Sequence, residues 1–382
     1  MPFLYKVKYS TDGVTFTALT NVQNINVRLG RGEQLAAYNA STAEVEIRYP
    51  TGFASPIAAI KTGTYIKIES PNWVDTIGGM FLGRIRDVDV SYGIPYSGGV
   101  GNGDILTISC EGFFAAVARM NANSYAMASG APQTQLTTAQ GQNGTTSVYY
   151  RPTGTDPVMA ATTITGTWGD WYNDLLTTLN GRMWDCNALN EVDVISPFYQ
   201  NPITPAAAET FSDAPVSFLE FSYDQIDFTS YADNFYTQVS LTPEGLSTVT
   251  VTQAGATTPY RTYTINTLNS SSGQATDYGN YLLGLYGTAQ FRIASISCLM
   301  EGSQANAKLD ALASQSPASY MGMRITVVFR GTTFSAIIEG VTVSATPNSS
   351  RYTFSLSSAE QNNYLILGSS IFGTLDNNKL GY

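Results

Sequence analysis

Residues 26–48, NVRLGRGEQLAAYNASTAEVEIR, begin and end in strand-like alternation and carry Gly30-Arg31-Gly32 near their start. A glycine-rich turn after a strand holds phosphate when a helix follows it, as in a βαβ unit. Here a second alternating stretch, Ala43-Glu44-Val45-Glu46-Ile47-Arg48, follows Ser41, and no Gly-Lys-Ser/Thr accompanies the glycines. Gly30, Arg31 and Gly32 therefore read as a structural turn between antiparallel strands, shaping a first β-barrel-like unit.

The same period of two recurs along the chain. Asn24–Arg28, Tyr65–Glu69, Val88–Val90, Leu106–Cys110, Ser247–Val251 and Tyr352–Leu356 all alternate apolar with polar residues. Strands with one buried and one wet face have this pattern, and antiparallel sheets and barrels are built from them. Helices are few: Glu111–Met120, Trp168–Gly181 with Asp170 as its cap and Leu175, Leu176 and Leu179 on its face, and Ala305–Ala313. Residues 121–167 are polar and read as an excursion, and Asn266–Asn280 as a low-complexity connector.

Phe81–Val90 (FLGRIRDVDV) resembles Phe334–Val343 (FSAIIEGVTV), and Leu106–Cys110 (LTISC) resembles Tyr352–Leu356 (YTFSL) in the same order. Strand, loop, strand and helix occurring twice predicts a duplicated unit. The expected fold is mainly β with a few short helices: two related β-barrel-like domains and a small α+β middle segment. Its expected divisions are residues 1–120, 121–210 with the polar insertion, and 211–382 with the second barrel and an apolar tail.

Composition narrows the function. Charged residues make up 13% of the 382, against roughly 25% in ordinary globular chains. Either other subunits cover much of the surface, or Ser, Thr, Asn and Gly face the solvent. A net charge of −10 with scattered Arg and Lys argues against a sequence reader of nucleic acid. An acidic surface still suits DNA that must slide past, because like charges suppress adhesion.

The chain has no histidine, which removes imidazole-based catalysis and His-ligated metal sites. Cys110, Cys186 and Cys298 form no CxxC pair and read as small hydrophobes. Carboxylates cluster at Glu220, Asp224 and Asp227 and at Asp170, Asp174 and Asp185, but sequence spacing alone does not place a glycosidase pair. Gly99–Asp104 reads as a hairpin turn. No catalytic residue, cofactor or metal is expected. No signal peptide or membrane-spanning run is visible, so a soluble chain made in a cytoplasm is predicted.

The tail NNYLILGSSIFGTLDNNKLGY holds apolar clusters between turn residues. Ile371, Phe372, Leu375, Leu380 and Tyr382 are candidate assembly contacts, since so apolar an end calls for a docking surface.

Three stretches are similar to minor tail proteins of siphophages. The first is INVRLGRGEQLAAYNASTAEVEIRYPTGFASP, where Gly30–Glu33, Asn39–Val45 and Ser55-Pro56 occupy the family's turn, strand and turn-before-proline. The others are FLGRIRDVDV with ILTISCEGFFAAVARM, and the C-terminal RYTFSLSSAEQNNYLILGSSIFGTLDNNKLGY; residues 121–167 match nothing in the pattern. The resemblance implies a structural virion protein, a hub with two related barrels per chain. Three copies would set six barrels in a pseudo-sixfold ring at the tail tip, joining the tail tube to tip components around the DNA channel. Distal tail, tape measure and fibre proteins would be its partners. The alternatives are a distal tail ring of six copies and a carbohydrate-binding adhesin facing the host surface.

Overall fold

In the computed structural model the described residues are 5–49, 59–70, 79–93, 103–145, 147–152, 156–185, 191–196, 207, 209–217, 220–229, 235–289, 292–301, 309, 312 and 322–359. The front of the chain forms β1 (Lys6–Ser10), β2 (Thr17–Ala18), β3 (Val22–Gly30), β4 (Thr42–Tyr49), β5 (Tyr65–Glu69), β6 (Phe81–Ser91) and β7 (Asp104–Glu111). The middle holds α1 (Phe114–Arg119), β8 (Tyr125–Met127), α2 (Pro132–Asn143), β9 (Ser147–Pro152), β10 (Thr162–Ile164), α3 (Trp168–Leu179), β11 (Arg182–Trp184) and β12 (Glu191–Ser196). Then come β13 (Thr210–Ser212), β14 (Glu220–Ser222), β15 (Gln225–Phe228), β16 (Gln238–Pro243), β17 (Val249–Thr252), β18 (Thr262–Thr267) and α4 (Ser272–Tyr286). The chain closes with β19 (Ile293–Glu301), β20 (Arg324–Phe329), β21 (Thr332–Thr346) and β22 (Ser349–Ser358).

The duplication is visible in the pairing. In the front half β3 pairs β4, β4 pairs β7, β7 pairs β6 and β6 pairs β5, all antiparallel. In the back half β15 pairs β19, β19 pairs β22, β22 pairs β21 and β21 pairs β20, again antiparallel. The registers agree residue by residue: Val88 faces Ile108 and Val90 faces Leu106, while Val341 faces Phe354 and Val343 faces Tyr352. Each hairpin also breaks register once, between Ile85 and Asp87 in one and between Ile338 and Gly340 in the other. A bulge adds one unpaired residue and bends its strand. The bulged residue is Arg86 in the first repeat, exposed, and Glu339 in the second, fully buried.

The two repeats are fused. Strand β3 pairs antiparallel with β21 from Gly30–Gly340 to Ile25–Ala345, and the result is one 14-stranded sheet. Alternation along β3 buries Ile25, Val27 and Leu29 while Asn26 and Arg28 face water. One apolar core accepts side chains from both repeats, among them Val45, Ile108, Val341 and Phe354. Each fully buried aliphatic of this kind contributes roughly 1.5–3 kcal/mol.

Two smaller cores hang on this sheet. The middle core packs Phe114, Trp168, Trp171, Tyr172 and Leu175 with Met127, Leu136, Ala139, Met159 and Ile164. The last five belong to residues 121–167, so that stretch is no polar excursion: α2 and three short strands fold there, and their few apolar side chains join the core. The third core sets α4 on β16, with Tyr278, Leu282 and Leu285 against Val239 and Leu241. Asn266–Asn280, read as a connector, therefore contains the end of β18 and the first turns of a 15-residue helix. Ser271 Oγ caps it by accepting from Gln274 N at 3.3 Å.

The cap of helix α3 is Thr167, three residues before the expected Asp170. Thr167 Oγ1 accepts from Asp170 N at 3.1 Å, and Asp170 Oδ2 accepts from Thr167 N at 2.9 Å, a reciprocal capping box. Asp170 is thus the third helical residue, and Asn180, at φ 48°, ends the helix ahead of Gly181. Thr167→Ala is expected to cost about 1 kcal/mol, read as a lower urea midpoint with an unchanged slope. Of the predicted helix 305–313, only Leu309 and Leu312 are described; both are buried in the main core.

Candidate functional site

Where the repeats fuse, chemistry and geometry converge on the opening stretch. Gly30 ends β3 with φ +74° and lies opposite Gly340 of β21. A Cβ on Gly30 would sit 2.4 Å from Glu339 O and 2.8 Å from Gly340 Cα, and one on Gly340 would sit 2.4 Å from Arg31 O. Two backbones meet here at a separation that only hydrogen side chains allow. Gly32 has nothing within 4 Å of its Cβ position.

The bulge turns Glu339 into the interior, beside Arg31. Arg31 N donates to Glu339 O at 3.0 Å, and Arg31 Nε donates to Glu339 Oε2 at 2.9 Å. Arg182, the first residue of β11, donates Nε to the same oxygen at 3.0 Å and Nη2 to Oε1; Ser357 Oγ of β22 also donates to Oε1. Arg31 lies over the ring of Tyr38, 4.9 Å from its centroid. Glu339 is 0% exposed, Arg182 1% and Arg31 6%. Burial alone would raise the Glu339 pKa, but the charges of Arg182 and Arg31 overcome it and hold the carboxyl down to about 2. Burial pushes the Tyr38 phenol up to about 12.

One carboxylate therefore ties three parts of the chain: the first repeat through Arg31, the middle through Arg182, and its own repeat through Ser357. The loop after Gly32 adds neutral ties. Gln34 Nε2 donates to Asn180 Oδ1 at 2.7 Å, Tyr286 OH donates to Gln34 Oε1 at 2.8 Å, and Asn180 Nδ2 donates to Tyr281 OH at 2.9 Å. At the loop's end Asp185 accepts from Ser41 N at 3.2 Å and Phe114 N at 2.9 Å. A cleft of about 540 Å³ lies beside this loop, bordered by Arg28, Glu33, Arg292 and Ser357.

Five of the six clustered carboxylates have structural partners. Glu220 Oε2 accepts from Val216 N at 3.0 Å, Asp224 pairs with Arg351 at 2.8 Å, and Asp227 accepts from Ser295 Oγ at 2.8 Å. Asp170 caps α3, and Asp185 holds the loop just described. Asp174 is pushed up to about 6 by burial and by the nearby Asp170 and Glu244 charges. Cys110 and Cys298 are buried free thiols whose pKa values burial raises. Among the described residues, no three His, Cys, Asp or Glu side chains are grouped to hold a metal. Gly103 and Asp104 close the link between antiparallel β6 and β7, with Asp104 Oδ1 accepting from Gly93 N at 2.9 Å. The rest of that glycine-rich link lies outside the described residues, as do Ile371, Phe372, Leu375, Leu380 and Tyr382.

The buried cluster was not visible in the sequence. Arg31 and Glu339 are 308 residues apart, and Arg182 and Glu339 are 157 apart. The available signal was Glu339 itself: a lone charge where FSAIIEGVTV is otherwise apolar or small.

A curled sheet of two fused repeats, carrying helical insertions after β7 and after β15, defines a mainly-β fold of the phage tail hub type. Solved structures of that type share it. A tail protein from Neisseria meningitidis MC58 superposes with a TM-score of 0.61 at 10% identity, covering 92% of this chain and 96% of its own. The 43 kDa tail protein of prophage MuSo2 from Shewanella oneidensis gives 0.61 at 10% identity, over 93% and 98%. An E. coli component of the type VI secretion system, described as similar in structure to the T4 bacteriophage tail proteins gp27 and gp5, gives 0.54 at 10%, over 92% and 76%. At these identities the fold is what is shared. By sequence, no protein-family model and no curated protein matches the chain.

Proposed function

We propose that the chain is a structural protein of a phage tail: a hub that forms a ring at the tail tip, joins the tube to tip components and surrounds the DNA channel. The observation that carries this reading is the internal duplication within one continuous sheet, in a fold shared over nine-tenths of its length with tail proteins. Two similar units per chain let three copies present six, so a trimer meets a sixfold tube on one side and a threefold tip on the other. Work is done by packing and position, with no bond made or broken. Distal tail, tape measure and fibre proteins are the proposed neighbours, and the virion is the site of action. The net charge of −10 suits a channel that DNA traverses without sticking.

The domain division belongs to the same proposal: a first barrel to residue 120, a middle unit to 210 and a second barrel beyond. So do the turn at Gly30–Gly32 and the apolar C-terminal contacts. Deleting residues 371–382 is expected to leave the far-UV circular dichroism and unfolding midpoint in place while lowering the assembled mass in sedimentation. A truncated chain that assembles normally removes those residues from the interface. The reading as a whole is tested by counting copies per ring in images of the assembled protein; six copies would identify a distal tail ring instead.

A further inference from the structure

The fusion of the two repeats is itself a template for an interface. Following the pairings from the aligned hairpins outward, Ile108 and Phe354 correspond. Their partners Val45 and Ile296 therefore correspond, and so do the next partners, Ile25 and Ile226. Strand β15 is thus the second repeat's copy of β3, and the outer part of β6 is the first repeat's copy of the part of β21 that receives β3.

Within the chain, β3 and β21 satisfy each other. Their copies do not meet among the described residues. Among the described residues β15 pairs with β19 alone. Strand β6, among the described residues, pairs β5 only through Phe81–Arg84, so Asp87–Ser91 pair there with β7 alone. Burial follows the same division. Ile25, Val341 and Val343 at the internal junction are 0%, 2% and 0% exposed. Their counterparts Ile226, Val88 and Val90 are only half-buried, at the margin of the same core. Open strand edges with apolar side chains along them are what proteins ordinarily cover.

We infer that β15 of one copy adds antiparallel to Asp87–Ser91 of β6 in the next copy, repeating between chains the pairing that β3 makes with β21 inside one. The inference rests on the ring reading and names its contact. The internal register fixes the intermolecular one. Asn26 faces Ser344, and Ser344 Oγ donates to Asn26 Oδ1 at 3.4 Å. The corresponding residues are Asp227 and Ser91, both exposed, so the Ser91 hydroxyl would donate to the Asp227 carboxylate. Because β15 and β6 lie on different repeats, the contact is head-to-tail, and copies related by a closing rotation use both of these edges in every chain.

Cysteines placed at facing positions test the register, since residues opposite one another in an antiparallel pair lie within disulfide range, about 4.5–5.5 Å between Cα atoms. In the full chain carrying Asp227→Cys and Ser91→Cys, mild oxidation is expected to yield covalent species of several chains, ending at the copy number of the ring. The two single variants oxidised separately should give none, and mixed together should stop at two chains. The diagonal pair Asp227→Cys with Asp89→Cys should link far less. A ring of normal mass that does not link, or links as readily through Asp89→Cys, overturns this contact while leaving the ring reading in place. A wild-type chain that sediments as a single copy at every concentration overturns both.

Discussion

Replacing Glu339 with alanine is expected to destabilise the fold by about 3–5 kcal/mol, the largest effect of any single side chain discussed. The magnitude follows from what remains. Arg31 and Arg182 would keep their charges, 6% and 1% exposed, with no anion between them. Taking one partner from a buried ion group leaves the desolvation cost of the others uncompensated. The half-exposed pair Arg351–Asp224, each side chain 37% exposed, sets the scale for comparison. Asp224→Asn should cost about 0–1 kcal/mol. Urea unfolding of both variants checks the contrast, and a Glu339→Ala loss as small as that of Asp224→Asn would show that the buried cluster does not hold the repeats together.

The same carboxylate predicts an acid limb. Its folded pKa, about 2, lies below the ordinary value of 4.5, so its contribution is fully present above pH 4.5 and is lost as pH falls towards 2. Over that window wild-type stability should drop more steeply than that of Glu339→Gln, whose amide does not titrate.

The second large effect is expected at the facing glycines. Gly340→Val would drive a side chain into Arg31 O and Leu29 O, at 2.4 and 2.8 Å from the Cβ position. Gly30→Ala meets Glu339 O at 2.4 Å and also holds a side chain at φ +74°, where L residues lose about 1–2 kcal/mol. With overpacking adding about 1–3 kcal/mol, Gly30→Ala should lower stability by about 2–5 kcal/mol and Gly340→Val, whose cost is the clash alone, by about 1–3 kcal/mol. Gly32→Ala, with open space around its Cβ position, is the control and should be near neutral. If all three variants unfold alike, the close approach of β3 and β21 is not what fixes the junction.

How much of this was legible in the sequence depends on the distance over which each feature is determined. Period-two alternation is local, so Ile25-Asn26-Val27 and Tyr352–Leu356 were readable as strands. The likeness of FLGRIRDVDV to FSAIIEGVTV carried the duplication, and both segments prove to be bulged strands of matching register. Helices α2 and α4 were hidden because their sequences are polar or rich in Ser and Gly. In α2 the buried apolar side chains are few, Leu136 and Ala139 among them, and packing against the α3 core decides its state more than propensity does. In α4 the spacing of Tyr278, Leu282, Leu285 and Tyr286 was a helical signal masked by the serines before it. The Arg31–Glu339–Arg182 cluster depends on a fold that joins residues hundreds apart, and composition gives no hint of it. The surroundings of the Gly-Arg-Gly stretch point to a turn, while its arginine's buried partner lies beyond any local signal.

As a proposed tail hub, this chain mates with copies of itself through its repeated β units. Two-dimensional averages of the purified assembly test it most directly. The expected image is a closed ring of three chains with six similar β lobes around an open channel. A particle that remains a single chain at high concentration, or a ring in which each chain contributes one lobe, would contradict it.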